Sequence, residues 1–168
     1  NPVFARHGFD IVSFPLHVPA VRFESVWHLL RETENVAGIA TTVPHKISAA
    51  RLCDTLSNEA ALVGAVNTAR REGDGTMHGA LFDGIGFVHG LGDAREMLRG
   101  AHVILVGAGG AGRAIAHALC GTGIARLEIV DVNRQAAEAT AAIVDGVAGP
   151  GVAQVSATRP GKFDMLIN

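Results

Sequence analysis

The residues with the plainest chemical purpose are Gly107, Gly109, Gly110 and Gly112, which stand with Ala108 and Ala111 in the run Gly-Ala-Gly-Gly-Ala-Gly. The run fits G-x-G-x-x-G. It lies between an apolar stretch, His102 to Val106, and an Ala-rich stretch, Gly110 to Cys120, that reads as a helix. In that context each glycine has a task. Gly107 permits a tight turn, Gly109 lets backbone N–H groups approach a pyrophosphate, and Gly112 lets the helix lie close to its strand. The helix N-terminus adds unpaired N–H groups and the positive end of a dipole, which favours an anionic ligand. Asp131, 24 positions after Gly107, ends the next strand, where an acid accepts hydrogen bonds from an adenosine ribose. Asn133 and Arg134 follow at once, and an arginine there pairs a ribose 2′-phosphate. These residues point to a dinucleotide. They leave NAD, NADP and a flavin or other adenine cofactor open.

The elements around this turn alternate. His102 to Val106 reads as a buried strand, Gly110 to Cys120 as a helix, Arg126 to Asp131 as a strand and Gln135 to Val144 as a helix. Val152 to Ser156 and Phe163 to Asn168 are further strand candidates. A β-α-β-α-β order argues a Rossmann-like, doubly wound parallel sheet. Before it, Asp10 to His17 and Val36 to Val43 read as strands and Phe23 to Arg31 as a helix with Val26, Leu29 and Leu30 on one side. Pro44 suits a helix start, so His45 to Cys53 reads as a helix, and Asp54 to Leu62 as a second. Ala65 to Arg71 and Thr76 to Leu81 form a hairpin across Glu72-Gly73-Asp74-Gly75, and Asp83 to Leu91 opens a helix. The fold class is therefore α/β in two parts, residues 1–92 and 93–168, joined near Gly92 to Gly100.

Composition narrows the function. The 168 residues carry a net charge of −2 and are 48% hydrophobic, so they can bury a core and offer no bulk attraction to nucleic acid. No stretch approaches the roughly 20 apolar residues that span a bilayer, so no membrane partner is expected. Cys53 and Cys120 lack metal-ligand or CxxC spacing, and read as reduced thiols in a cytoplasmic protein. His17, His45, His78, His89, His102 and His117 read as structural or surface residues, and Phe23 and Trp27 as core.

Three segments of the first part add a further signal: Gly38-Ile-Ala-Thr-Thr42-Val-Pro-His-Lys46, Gly64-Ala-Val-Asn67-Thr68 and Gly79-Ala-Leu-Phe-Asp83-Gly84. With Gly107 to Gly112, their order and spacing resemble the shikimate dehydrogenase family, which includes quinate/shikimate dehydrogenases. The resemblance covers nearly the whole chain. It implies an NAD(P)-dependent oxidoreductase interconverting 3-dehydroshikimate and shikimate, with residues 1–92 as substrate domain and the cleft between the two parts as active site. It makes Lys46 the catalytic lysine and Asp83 its carboxylate partner. Thr42 and Asn67 would contact a hydroxyl-rich ring acid. Gly109, Gly110 and Ala111 would sit on the cofactor phosphates, and Asn133 and Arg134 match the Asn-Arg of the family's NADP-binding segment. NADP is the cofactor implied, with NAD possible, in a monomer or homodimer. Members are longer, so the chain reads as cut at both ends: Asn1-Pro2-Val3-Phe4 reads as mid-helix, and Phe163 to Asn168 as a strand without its following loop.

The chemistry suits those residues. Hydride transfer to a ketone leaves an alkoxide, and an ammonium supplies both the proton and a nearby positive charge. The sequence departs from the family pattern at Ala40, Leu81 and Phe82, where polar residues are expected. Losing hydrogen-bonding groups changes which polyol is preferred. A quinate or related ring-acid dehydrogenase, and a cofactor-binding relative without activity, are the competing readings.

Overall fold

The computed structural model describes residues 1–156 and 162–168. It contains two four-stranded sheets. The first is built from β1 (Gly38–Ala40), β2 (Thr55–Leu56), β3 (Thr68–Arg71) and β4 (Met77–Ala80), in the order β1-β3-β4-β2. β3 and β4 form the expected hairpin, with Arg71 opposite Met77 and Gly75 at φ +85° in the turn. Helices α1 (Pro2–Arg6), α2 (Phe23–Glu32), α3 (Lys46–Leu52), α4 (Asn58–Val63) and α5 (Asp83–Gly90) belong to this part.

The second sheet is built from β5 (His102–Val106), β6 (Arg126–Val130), β7 (Ala153–Val155) and β8 (Met165–Ile167), in the order β7-β6-β5-β8. All its pairings are parallel. Helices α6 (Gly110–Cys120) and α7 (Arg134–Ala148) make the crossovers. The first strand therefore lies inside, with the second and third to one side and the fourth to the other. Such a sheet has its topological switch point beside the first strand, and ligands bind outside the carboxyl ends of the strands there.

Alternation along β5 and β6 sets the core. Val103, Leu105, Leu127 and Ile129 share a face and pack with Leu119, Ala137 and Val144 of the helices. The first part has its own core, around Trp27 (1% exposed), Phe23, Ala49, Val66 and Met77. Asp54 fastens α2 to β4. It accepts from Met77 N at 2.8 Å and from Arg31 at 2.9 Å, and the Met77 bond, followed by Arg31, holds its carboxyl below the usual range.

Several expectations need correction. Asp10 to His17 forms no strand, and Ile11, Val12, Phe14 and Leu16 are exposed. A strand requires a partner ladder, and among the described residues none runs beside it. Instead the Asn1 side-chain amide takes the place of one pairing: it donates to Ser13 O at 3.1 Å and accepts from Ser13 N at 2.6 Å. On α2, Leu29 faces solvent, because it lies about 200° around the helix from Trp27, the residue that fills the core. β1 is shorter than Val36 to Val43. The supposed helix from Asp54 is a two-residue parallel strand, β2, followed by α4.

Ser57 divides those two elements. Its hydroxyl accepts from Ala60 N at 3.2 Å, and Gly64 closes α4 in the left-handed region. Ser57→Ala is expected to cost about 1 kcal/mol, read as a fall in denaturant midpoint without a change in slope.

Cys53 packs where a side chain at Gly79 would collide with it. Burial, and secondly Asp54, push its thiol up to about 11 from an ordinary 9.0. Burial also raises the Cys120 thiol. At pH 8 the Cys53 thiolate fraction is then roughly a hundredfold below that of an ordinary thiol. Iodoacetamide labelling of the native protein at pH 8 is expected to be slow at both cysteines and to become fast in denaturant.

Candidate active site

The site begins with a short helix. β1 ends at Ala40, and the chain turns through Thr41, whose buried hydroxyl donates to Val66 O at 2.6 Å. Thr41 N donates to Asn67 O at 2.8 Å. These bonds fasten the 41–46 loop against the start of β3. Lys46 opens α3, and its carbonyl accepts from Val66 N at 2.9 Å. His45, just before it, lies flat on Phe23 with centroids 4.3 Å apart, and its Nε2–H donates to Val18 O at 2.9 Å. A carbonyl only accepts, so the Nε2 proton is committed to holding the loop.

Lys46 is 8% exposed. Its Nζ donates to Asp83 Oδ2 at 2.7 Å. A charge so far withdrawn from water needs a partner, and Asp83 supplies it from the first turn of α5. Residues 37 apart in sequence are thus joined at the edge of the first part. Thr42 lies on the loop that leads into α3, and Asn67 in the bend just before β3. Thr42 is exposed, and among the described residues its hydroxyl has no partner. Half-buried Asn67 accepts through Oδ1 from Phe82 N at 3.1 Å and Thr68 Oγ1 at 3.3 Å.

The glycine turn lies directly beside the pair. A Cβ built on Gly110 would be 3.0 Å from Lys46 Cβ. Gly84, next to Asp83, lies so close to α6 that a Cβ would overlap the Ala114 carbonyl. Ala114 accordingly packs in the core of the first part. The ion pair and the glycine turn are therefore neighbours across the junction of the two sheets.

The turn fits a dinucleotide. Gly107 has φ +103°, and a Cβ on Gly112 would overlap the Gly107 carbonyl. Nothing would stand in the way of a Cβ on Gly109, so the space beside that residue is open, and no side chain caps the start of α6. Ala111 lies in the first turn of α6. Asp131 Oδ2 accepts from Ala108 N at 2.6 Å and Oδ1 from Asn133 N at 2.7 Å, so this carboxylate braces the turn against the end of β6. Asn133 caps α7 by accepting from Ala136 N at 3.1 Å. Arg134 is exposed, and its Nε donates to Glu138 Oε1 at 2.7 Å. Among the described residues no group of His, Cys, Asp or Glu is arranged to hold a metal ion, and no helix is long and apolar enough to cross a membrane.

Sequence reasoning missed two contributors. Thr41 carries the anchoring hydroxyl beside Thr42, and two adjacent threonines give no sequence signal for which is buried. Gly84 sets the helix–helix approach, and its only signal is a glycine inside a helical pattern. Glu138, which stands where the family pattern has a basic residue, pairs with Arg134 at i,i+4 spacing. One departure from the family pattern also moves: Leu81, 4% exposed, joins the core with Val63 and Ala114. Phe82, 54% exposed, stays at the surface beside Asp83.

The chain is thus an α/β protein of two parts that sets a buried, carboxylate-paired lysine against a Rossmann-type glycine turn. Residues 1–69 match the family model for the shikimate dehydrogenase substrate binding domain. The chain belongs to the shikimate dehydrogenase family. It is 41% identical over its whole length to shikimate dehydrogenase (NADP(+)) of Shewanella halifaxensis, of which it covers 60%. It superposes with a TM-score of 0.77 and 29% identity on shikimate 5-dehydrogenase from Listeria monocytogenes, solved in complex with shikimate and NAD. That match covers 92% of this chain and 54% of the other. Quinate dehydrogenase from Corynebacterium glutamicum, in complex with NAD, gives a TM-score of 0.74 at 25% identity, covering 91% and 56%. The chain spans about half the length of the curated relatives it matches.

Proposed function

We propose that the protein is an NAD(P)-dependent dehydrogenase interconverting 3-dehydroshikimate and shikimate, with Lys46 as acid/base. The observation that carries this is the 2.7 Å Lys46–Asp83 pair set against Gly110. A bound nicotinamide supplies or accepts the hydride. The chain's residues do the rest. In reduction, Lys46 Nζ–H faces the ketone oxygen, stabilises the negative charge that grows there, and gives it a proton. Asp83 holds the ammonium in place and balances its charge in a site with little water. In oxidation, Lys46, after losing a proton, takes the one on the ring hydroxyl. The free hydroxyl of Thr42 and the amide of Asn67 bind ring hydroxyls. Gly107, Gly109, Gly110, Ala111 and Gly112 cradle the cofactor phosphates, and Asp131, Asn133 and Arg134 border its adenosine end. The substrate domain runs to about residue 92. A cytoplasmic monomer or homodimer fits this reading.

A second reading, quinate or a related ring acid as substrate, is favoured by Phe82, which puts an exposed apolar ring next to Asp83 where the family pattern has a polar side chain. A cofactor-binding protein without activity has little use for a buried lysine held by a carboxylate. The test is kcat/KM on the intact protein for shikimate and quinate, each with NADP⁺ and NAD⁺. The highest value for shikimate supports the proposal. A higher value for quinate supports the second reading, and saturable nucleotide binding with no turnover on either acid overturns both.

A further inference from the structure

The pattern G-x-G-x-x-G asks for glycine at its first, third and last positions and leaves the fourth free. Gly107, Gly109 and Gly112 fill the required places, and Gly110 holds the free one. Nucleotide binding therefore does not call for a glycine at 110. The backbone does not call for one either, since Gly110 opens α6 without a positive φ. Glycine is also a poorer helix former than alanine.

What lies against Gly110 is the stem of Lys46. A Cβ at position 110 would be 3.0 Å from Lys46 Cβ, 3.4 Å from Lys46 Cδ and 3.6 Å from the Cβ of fully buried Ala65. The lysine stem thus runs along the bare backbone of Gly110, and its Nζ then meets Asp83 at 2.7 Å. The root of the stem is fixed. Lys46 O accepts from Val66 N at 2.9 Å, and His45, one residue earlier, donates to Val18 O at 2.9 Å. The start of α6 is held as well, because Ala114 packs in the core of the first part and lies against Gly84. The part left to yield to a methyl group is the outer stem. Rotation about its side-chain bonds carries Nζ away from Asp83.

We propose that Gly110 is a positioning residue for Lys46: the space its missing side chain leaves is where the lysine stem lies, and this sets the ammonium against Asp83. Gly110 acts on the reaction through Lys46. The inference rests on the dehydrogenase reading above and deepens it, since it gives the nucleotide part a share in aiming the acid/base group of the substrate part.

Gly110→Ala in the intact protein tests it, beside Gly109→Ala, whose added Cβ would enter the open space at the turn. The measurements are nucleotide Kd by titration, KM for the ring acid, and the single-turnover rate constant for nicotinamide reduction at saturating ligands. A merely structural defect lowers the amplitude of that single turnover and leaves its rate constant alone. Gly110→Ala is expected to lower the rate constant about tenfold, with KM and nucleotide Kd within about twofold of wild type, because a misplacement of about 1 Å costs about 10²-fold and the overlap here is smaller. Gly109→Ala is expected to raise the nucleotide Kd well above wild type. A Gly110→Ala rate constant equal to that of wild type, or a loss of nucleotide affinity matching that of Gly109→Ala, overturns the inference and leaves the dehydrogenase reading standing. So does a Gly110→Ala protein that fails to fold, since the stem is then not the part that yields. A wild type that binds nucleotide and turns over neither shikimate nor quinate overturns both.

Discussion

Lys46→Met is expected to lower kcat by about 10² to 10⁴-fold, the range a positioned acid/base group contributes. Methionine keeps an unbranched, mostly apolar side chain in the space against Gly110, so the packing between the glycine turn and α3 is preserved. What disappears is the proton donor and the positive charge facing the developing alkoxide. Both act in the transition state, so kcat should fall far more than KM rises. Nucleotide affinity should change little, since the Lys46 ammonium is spent on Asp83 and not on the glycine turn. Steady-state kinetics with the ring acid, paired with titration of the nucleotide, checks this. Asp83→Asn is a useful companion. It keeps a hydrogen-bond acceptor for Lys46 and loses only the balancing charge, so its deficit should be the smaller of the two.

Gly84→Ala is the second large effect. The Cβ it adds would overlap the backbone carbonyl of Ala114, and a backbone atom in the middle of α6 cannot turn aside as a side chain can. The helices α5 and α6 must separate. The expected cost is about 1–3 kcal/mol of stability, or several degrees in Tm. The functional consequence is specific. Asp83 precedes Gly84 on α5, and the glycine turn leads into α6, so the separation pulls the carboxylate away from that turn. A fall in kcat/KM larger than the loss of folded protein explains, measured at a temperature where the variant is still folded, is the expected result. A variant at Gly86, where a Cβ would meet nothing, serves as the control on the same helix.

How much of this was legible in the chain depended on the length and environment of each element. β5 and α6 are read correctly to the residue, because a strand buried on both faces is a continuous apolar run, and the glycines mark the turn between the two. The β3–β4 hairpin is legible through its Asp-Gly turn. β2 is not, since two residues hold no periodicity, and its identity comes from pairing with β4. Asp10 to His17 fails for the opposite reason: alternation is present, but a partner strand is a tertiary fact that no local pattern contains. At the site, the motifs name Lys46 and Asp83 through a family resemblance, while their 2.7 Å contact comes only from the fold. Leu81 and Phe82 are adjacent in a segment expected to line the pocket, yet one is core and the other surface, because β4 ends at Ala80 and the chain turns into α5 between them. Asp131 reads as a ribose ligand from its spacing. Its two bonds to Ala108 N and Asn133 N show that it also holds the glycine turn in shape.

The most direct test of the central claim is a crystal structure of the intact protein with the nucleotide and shikimate both bound. The account predicts the reacting ring hydroxyl within about 2.6–3.2 Å of Lys46 Nζ, with Asp83 still holding the ammonium from its other side. A ring acid seated away from Lys46, or a Lys46 turned out to solvent when both ligands are bound, would contradict it.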